Sequence, residues 1–364
     1  MNDNILNAEV KGKDLSPHGG DIYTFNKPYK IFDYSININP IGVPKSLKRA
    51  ISSSILKLEH YPDMKNRKAT EILANHHSLN TNNIVIGNGA TELIYLAIQT
   101  IKPRRALIPM PTFTEYQRAC KMVGCEVVPF ELKKEDDFEF NVDDFIKKID
   151  NSIDMIIICN PNNPTSRIIN KNSMKKLLEY CQPKGIYIMI DEAFADFTLN
   201  DISVVGYIKK YANLIIIRSL TKFFAVPGLR IGYAVACESL SELFVANQYP
   251  WSVNYFASIV CEIALKDFNY INKTKKWLSQ EPKRFYDMLS TLNGIKVYKP
   301  SANYILIEIE QTLASIMAER LLNKGILIRD ASNFKFLDAH FIRIAIKDKK
   351  SNDKFFDKFS RCLL

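Results

Sequence analysis

Short, largely apolar runs recur between residues 84 and 236, and they limit the fold of this chain more than any other feature. The runs end at Gly87, Met110, Phe130, Cys159, Ile190, Ile217 and Ala236. Segments with helical periodicity, such as TELIYLAIQTI and NKNSMKKLLEYC, lie between them. Short runs without a polar face are typical of strands covered on both sides in a mostly parallel sheet, and intervening helices are typical of βαβ units. The pattern predicts one α/β domain over residues 46–248.

The pattern changes after residue 248. Phe256, Ile259, Val260 and Ile263 have the spacing of an amphipathic helix, and Pro282 is expected to interrupt any single long helix that contains it. The run NYILIEI, a helical segment near residues 312–323 and the runs GILIRD and FIRIAI follow. They predict a smaller α+β domain over 249–364. Residues 1–45, rich in Pro, Gly and Asn, are predicted to form an arm.

Charge, cysteine spacing and apolar content limit which partners and which cellular compartment we expect for this chain. The 364 residues carry a net charge of +10, from 49 basic and 39 acidic side chains. The basic residues are scattered, so we expect no nucleic-acid partner and a small anionic substrate instead. The seven cysteines form no CxxC pair and no zinc spacing, which indicates a reducing compartment and no metal site. No secretory signal is apparent, and no apolar run approaches the roughly 18 residues of a membrane span. We therefore expect a cytoplasmic protein without a membrane partner.

Polar side chains of different chemistry follow successive predicted strands. Asn163 comes after the run MIIIC and Asp191 directly after IYIMI, while Ser219, Thr221 and Lys222 follow LIII. In parallel α/β sheets the carboxyl ends of the strands meet at one edge, where ligands bind. Each residue also has an ordinary interpretation: a helix cap for Asp191, a turn for Asn163, or a solvated amine for Lys222. Their occurrence together favours a site.

The stretch GNGATEL adds a phosphate-binding element to this edge. Gly89, Ala90 and Thr91 form a turn between a strand and a helix, although Gly89 could be a plain turn glycine. Free backbone N–H groups at a helix start favour a phosphate. A lysine in apolar surroundings, Lys222, is a good covalent anchor for a carbonyl. Pyridoxal phosphate needs such a lysine, a carboxylate for its ring nitrogen, and a phosphate cup; Asp191 matches the carboxylate, and the turn, the two hydroxyls and Arg230 match the cup.

The motifs SLTKFFAVPGLRIGY, NPNNPT and DEAF resemble those of the class I/II aminotransferases, which are fold type I pyridoxal-phosphate enzymes with a mostly parallel large domain and a smaller α+β domain. The resemblance implies that Lys222 carries the cofactor and moves protons, and that Asp191 pairs with the ring nitrogen and Asn163 with the phenolic oxygen. It implies that Phe113 stacks on the ring. It also implies a homodimer, in which the arm packs with the small domain and the partner subunit, and Tyr61 reaches the neighbouring cofactor.

Two positions depart from the usual family motifs. Phe194 stands where the family usually has a tyrosine whose hydroxyl bonds the phenolic oxygen. Ser166 stands where the motif usually continues with glycine. The first change leaves Asn163 as the main neutral partner of that oxygen, and the second could alter the turn.

The stretches HGGD, DYSININPIG and PWSVN further resemble the threonine-phosphate decarboxylase branch of the family. That resemblance predicts decarboxylation of a phosphorylated amino acid in cobalamin biosynthesis. The substrate-binding residues it implies are His18, Asn39, Asn163, Arg329 and Arg343. Arg343 would hold the carboxylate; alone, it would look the same as a solvent-facing strand arginine. The alternative is an aminotransferase of the histidinol-phosphate type, which shares the GNG turn and Arg329. A non-catalytic cofactor-binding regulatory domain is a more remote alternative.

Overall fold

A seven-stranded sheet forms the centre of the computed structural model, which describes residues 18–23 and 31–363. Part of the predicted arm, residues 1–17 and 24–30, therefore lies outside the described residues. The sheet strands are β2 (Ile84–Gly87), β3 (Arg105–Met110), β4 (Glu126–Glu131), β5 (Met155–Cys159), β6 (Tyr187–Asp191), β7 (Leu214–Ser219) and β8 (Gly232–Ala236). Their order is β2-β8-β7-β6-β5-β3-β4. Only β8 runs antiparallel to its neighbours, which confirms the mostly parallel sheet.

Helices cover both faces of this sheet. They are α1 (Lys45–Ser53), α2 (Arg67–His77), α3 (Gly89–Ile101), α4 (Glu115–Met122), α5 (Val142–Ile146), α6 (Lys171–Cys181) and α7 (Glu238–Asn247). The predicted helices after GNG and before Cys181 correspond to α3 and α6. Alternate strand residues point to opposite faces: Ile156 and Ile158 belong to one buried cluster and Ile157 to the other. Two apolar layers thus hold the strand ends in place.

The smaller domain is built on a four-stranded sheet of order β12-β13-β10-β9. Its elements are β9 (Ile295–Val297), β10 (Tyr304–Ile309), α10 (Ala314–Asn323), β11 (Ile326–Leu327), β12 (Arg329–Asp330), β13 (Phe341–Ala345) and α11 (Lys349–Leu363). The predicted strand–helix–strand–strand set is confirmed. The described end of the arm, β1 (Phe32–Asp33), pairs in parallel with β11, so this part of the arm belongs to the small domain.

Two helices between the domains differ from the sequence-based expectation. Helix α8 (Tyr255–Ala264) packs into the core of the large domain, through Val260 and Cys261 among others, whereas the sequence pattern predicts that residues 249–364 form the small domain. Helix α9 (Phe268–Leu289) continues through Pro282 without a break, so the predicted interruption is wrong. Its Leu278 packs in the large-domain core and its Phe285 in the small-domain core. Burial at both ends offsets the cost of about 3 kcal/mol for a proline inside a helix.

Within the described residues, no helix combines the length and apolar character that a membrane span requires.

Candidate active site

A cavity of about 520 Å³ opens at the carboxyl ends of β5, β6 and β7, between the two domains. Its volume lies in the range of pockets that hold a cofactor or a small ligand. Of the residues predicted from the sequence, it is lined by His18, Ala90, Thr91, Phe113, Asn163, Asp191, Thr221, Lys222, Arg230, Arg329 and Arg343. Residues up to 325 positions apart in the chain therefore contribute to one chamber, since His18 and Arg343 both line it.

Lys222 lies in the turn that follows β7. Its Nζ is 3.4 Å from Ser219 Oγ and 5.1 Å from the centre of the Phe194 ring. Burial lowers the pKa of Lys222, whereas the nearby Asp191 carboxylate opposes that shift. A lowered pKa makes the neutral, nucleophilic form of the amine more accessible.

Asp191 is the last residue of β6 and is buried. Its carboxylate accepts hydrogen bonds from the Tyr116 hydroxyl (2.7 Å) and from the Ala193 backbone N–H (2.8 Å). Burial raises the pKa of Asp191, and the positive charge of Lys222 and the Tyr116 hydroxyl counteract that rise. Tyr116, on α4, is a site residue that sequence reasoning missed, because nothing in the stretch MPTFTEY shows that this hydroxyl meets a carboxylate at the end of β6.

The phosphate cup predicted around Gly89 is assembled at the start of α3. Gly89 has a φ of +84°, and a Cβ there would lie 2.6 Å from a guanidinium nitrogen of Arg230. Only glycine lets the backbone and this arginine approach so closely. The Ser219 and Thr221 hydroxyl oxygens are 2.8 Å apart beside them. Helix N–H groups, two hydroxyls and a guanidinium form a donor set for a phosphate.

These groups fit pyridoxal phosphate. Lys222 would hold its carbonyl carbon, Asp191 its ring nitrogen, and the cup around Arg230 its phosphate; Phe113 lines the wall beside the ring site. When bound, this cofactor supplies an electron sink for bonds broken at an amino-acid α-carbon.

The small domain contributes two arginines that face each other across β12 and β13. Arg329 and Arg343 are in register and only 5% and 6% exposed. Burial lowers the pKa of each to about 10, and each is paired with neutral acceptors. Arg343 donates to Asn163 Oδ1 and to the Ser35 carbonyl, and Arg329 donates to the Asp330 carbonyl and to Asn333 Oδ1 (both 2.7 Å).

No ion pair joins either arginine to a carboxylate within residues 18–23 and 31–363. Two buried cations that no carboxylate contacts directly form a site for an anion.

His18 also lines the cavity, and there its Nε2 is 2.8 Å from Glu115 Oε1 and its ring centre is 5.9 Å from that of Phe113. The buried Glu115 also accepts a hydrogen bond from the Tyr95 hydroxyl on α3. Sequence reasoning missed Glu115, because an acidic residue in the first turn of a helix is common for reasons of helix polarity alone. A carboxylate in this position attaches the described part of the arm to the cavity wall.

Four of the predicted residues are not part of the cavity lining. Gly89 and Ser219 belong to the phosphate cup beside it, and the other two are Asn39 and Tyr61. Asn39 is a correction: its amide donates to the Phe223 carbonyl and to Thr274 Oγ1 (both 2.8 Å), and its backbone N–H donates to the Lys222 carbonyl. Its amide and backbone hold the lysine turn, and it does not line the cavity. Tyr61 is 82% exposed and stacks loosely on Trp251, with ring centres 5.0 Å apart; its predicted role in a partner's site stays a prediction.

The two departures from the family motifs have different structural consequences. Phe194 is buried beside Tyr304, with ring centres 4.9 Å apart, but the Tyr304 hydroxyl donates to the Asn162 carbonyl (2.8 Å). Tyr304 therefore does not supply the missing tyrosine hydroxyl. Ser166 has a left-handed backbone, with a φ of +62°, and is fully buried.

Across the described part of the chain, no group of three or more His, Cys, Asp or Glu side chains could hold a metal ion.

Comparison with known proteins assigns the family. Residues 29–359 match the family described as aminotransferase class I and II. A putative threonine-phosphate decarboxylase from Caldanaerobacter subterraneus subsp. tengcongensis is 37% identical, over 94% of this chain and 93% of that protein.

Two solved structures are also similar over most of the chain. The histidinol-phosphate aminotransferase from Clostridium acetobutylicum is 39% identical, with a TM-score of 0.85 over 91% of this chain and 98% of that one. The L-threonine-O-3-phosphate decarboxylase from Porphyromonas gingivalis is 27% identical, with a TM-score of 0.80 over the same shares of the two chains. The chain therefore belongs to the class I and II aminotransferase family, has its fold type I architecture, and depends on pyridoxal phosphate.

Proposed function

We propose that this member of the class I and II aminotransferase family decarboxylates L-threonine O-3-phosphate to (R)-1-aminopropan-2-ol O-phosphate and CO₂, as a cytoplasmic step of cobalamin biosynthesis. The observation that carries the proposal is the pair of buried arginines, Arg329 and Arg343, which have no carboxylate partner in the described chain. A substrate with two anionic groups supplies a partner for each. The similarity to threonine-phosphate decarboxylases supports the same assignment.

The proposed roles follow from where the side chains lie. Arg343, which is bonded to Asn163 beside the cofactor site, receives the substrate carboxylate. Arg329 and His18 receive the phosphate. When the carboxylate and the phosphate of the substrate are both held, the orientation of the bonds at its α-carbon is fixed. The bond from the α-carbon to the carboxylate is then the one placed for cleavage. Lys222, whose pKa burial lowers, then returns a proton to the α-carbon.

A second candidate is a histidinol-phosphate aminotransferase, and one contact favours it. Glu115 holds the His18 imidazole at 2.8 Å against the wall of the cavity. A carboxylate that binds this imidazole could bind the imidazole of a substrate in the same place if His18 moved away. The similarity to the Clostridium acetobutylicum aminotransferase also supports this candidate.

The deciding experiment is a comparison of CO₂ release with amino transfer in the purified holoenzyme. Phosphothreonine, phosphoserine, and histidinol phosphate with 2-oxoglutarate are the three substrates. We expect CO₂ from phosphothreonine without any keto acid, and little transfer from histidinol phosphate. Efficient transfer from histidinol phosphate, with no CO₂ from either phosphorylated amino acid, would overturn the proposal.

Two variants sharpen the comparison. Arg329→Gln should weaken phosphothreonine binding and leave the cofactor absorption spectrum unchanged, because Arg230, not Arg329, lies at the cofactor phosphate cup. Glu115→Gln separates the candidates: it removes the charge that would bind a substrate imidazole, so an aminotransferase would lose affinity for histidinol phosphate specifically.

A homodimer is proposed as the working assembly. Leu56 and Met64, which are near Tyr61 in the chain, are more than 40% exposed, and so are Trp251, whose ring contacts Tyr61, and Tyr249. Exposed apolar surface of this kind is typical of protein interfaces.

A further inference from the structure

Ser166 occupies a backbone conformation that favours glycine. Its φ is +62°, and its side chain is fully buried in the loop after β5. Residues with a Cβ are strained in the left-handed region, and the family motif usually has glycine at this point. A contact made by the serine side chain offsets this strain.

That contact crosses from the large domain to the small one. Ser166 Oγ accepts hydrogen bonds from the backbone N–H groups of Ser301 and Ala302, both at 2.9 Å. Only Asn303 separates these two residues from β10 of the small domain, which begins at Tyr304. The hydroxyl therefore satisfies two backbone donors that glycine would leave without this acceptor.

The loop after β5 also contacts the small domain where the two halves of the active site meet. Asn163 accepts from Arg343, and the Asn162 carbonyl accepts from Tyr304 of β10. The residues that fit the cofactor belong to the large domain, whereas Arg329 and Arg343 belong to the small domain. The distance between the cofactor site and the two arginines therefore depends on how the small domain packs against this loop.

We propose that Ser166 is a positioning residue whose hydrogen bonds to Ser301 and Ala302, called the latch below, hold the small domain against the loop after β5. The latch thereby keeps Arg329 and Arg343 at the distance from the cofactor site that the substrate requires. The identity of that substrate rests on the proposed function; the latch itself does not.

Two substitutions separate the contact from the backbone strain. Ser166→Ala removes the acceptor and keeps a Cβ in the left-handed conformation, whereas Ser166→Gly removes the acceptor and relieves the strain. Ser241→Ala is the matched control, because Ser241 is buried in α7 of the large domain and its Oγ has no hydrogen-bond partner in the described chain.

Hydrogen–deuterium exchange on the holoenzyme tests the latch directly. We expect the peptide that contains Ser301 and Ala302 to exchange about tenfold faster in both Ser166 variants and at the parental rate in the control. If the alanine variant does not fold, the glycine variant alone decides. Unchanged protection of this peptide in a folded variant would overturn the proposal.

A second readout distinguishes positioning from general damage. In the Ser166 variants the small domain should be packed against the loop for a smaller fraction of the time, so KM for phosphothreonine should rise about tenfold. The dissociation constant of pyridoxal phosphate should stay the same, because the residues that fit it all lie in the large domain. An equal loss of cofactor affinity, or no change in KM, would contradict a positioning role. If no variant and no parent protein turns over phosphothreonine, the proposed function fails, and the exchange result still decides whether the latch exists.

Discussion

Replacing Arg343 by glutamine should stabilise the folded protein and weaken its binding of substrate, two effects of opposite sign. Arg343 is 6% exposed, has neutral hydrogen-bond acceptors, and faces Arg329 in the neighbouring strand. Burial and, next, the positive charge of Arg329 lower the pKa of Arg343 to about 10. The folded protein therefore stabilises the charged form of Arg343 less well than water does.

The pKa gives the size of the effect on stability. A shift of one pKa unit corresponds to about 1.4 kcal/mol, so keeping Arg343 charged at neutral pH costs the folded state about 3 kcal/mol. Glutamine retains an amide donor for one of the two acceptors, and losing the other hydrogen bond costs about 1 kcal/mol. The free energy of unfolding of the variant should therefore exceed that of the parent by about 2 kcal/mol.

The pH dependence follows from the direction of the shift. Below a pH of about 10 the arginine is protonated in both the folded and the unfolded state, so the difference between parent and variant should be constant between about pH 6 and pH 9. Above about pH 10 the folded parent releases a proton that the unfolded chain still binds, which removes the cost and narrows the difference.

Urea unfolding and calorimetric binding of phosphothreonine to the cofactor-free protein measure the two effects without turnover. Loss of a charge-assisted pair with the carboxylate should weaken binding about 100-fold, which corresponds to about 3 kcal/mol. Arg320→Gln is the control, because Arg320 bonds the Cys362 carbonyl in the same domain and does not line the cavity. A variant that is less stable than the parent, yet binds phosphothreonine equally well, would refute the idea that Arg343 is kept for an anion.

Three further outcomes are expected. Borohydride should fix the cofactor onto Lys222 in the holoenzyme, as judged by peptide mass; if Lys222→Ala still gives a reduced adduct, the anchor lies elsewhere. Mixing Lys222→Ala with Tyr61→Phe subunits should restore part of the activity, because one hybrid site carries neither lesion; a fully active monomer would contradict the dimer. Tyr116→Phe removes the hydroxyl that donates to Asp191 and opposes the rise in its pKa, so cofactor affinity, followed by absorption, should fall roughly tenfold; unchanged affinity would show that the Ala193 N–H is sufficient.

Local patterns predicted the large domain well. The strands that precede Asn163, Asp191 and Lys222 are where the apolar runs indicated, and each run ends within a few residues of a side chain that lines the cavity. This success has a simple cause: strand period, buried apolar character and the meeting of parallel strand ends are properties of short segments and of the sheet they form.

The failures have a common cause as well. Pro282 should break an isolated helix, yet packing against both domain cores maintains α9. Asn39 has the right residue type and motif for a ligand, but its amide holds the lysine turn. Tyr116 and Glu115 have ordinary positions in the sequence and become site residues only through partners on other elements.

By itself, the sequence determined the fold class, the order of the strands along the chain and the set of chemical groups at the cofactor edge, because residue type and periodicity are local properties. The tertiary structure decided which of those groups meet. Arg343 reaches Asn163 across 180 positions, Arg329 faces Arg343 through strand register, and Ser166 binds the backbone 135 and 136 residues further on. Such pairings depend on how the two domains pack against each other. The free energy of that packing comes from contacts distributed over both cores, which no short segment of sequence contains.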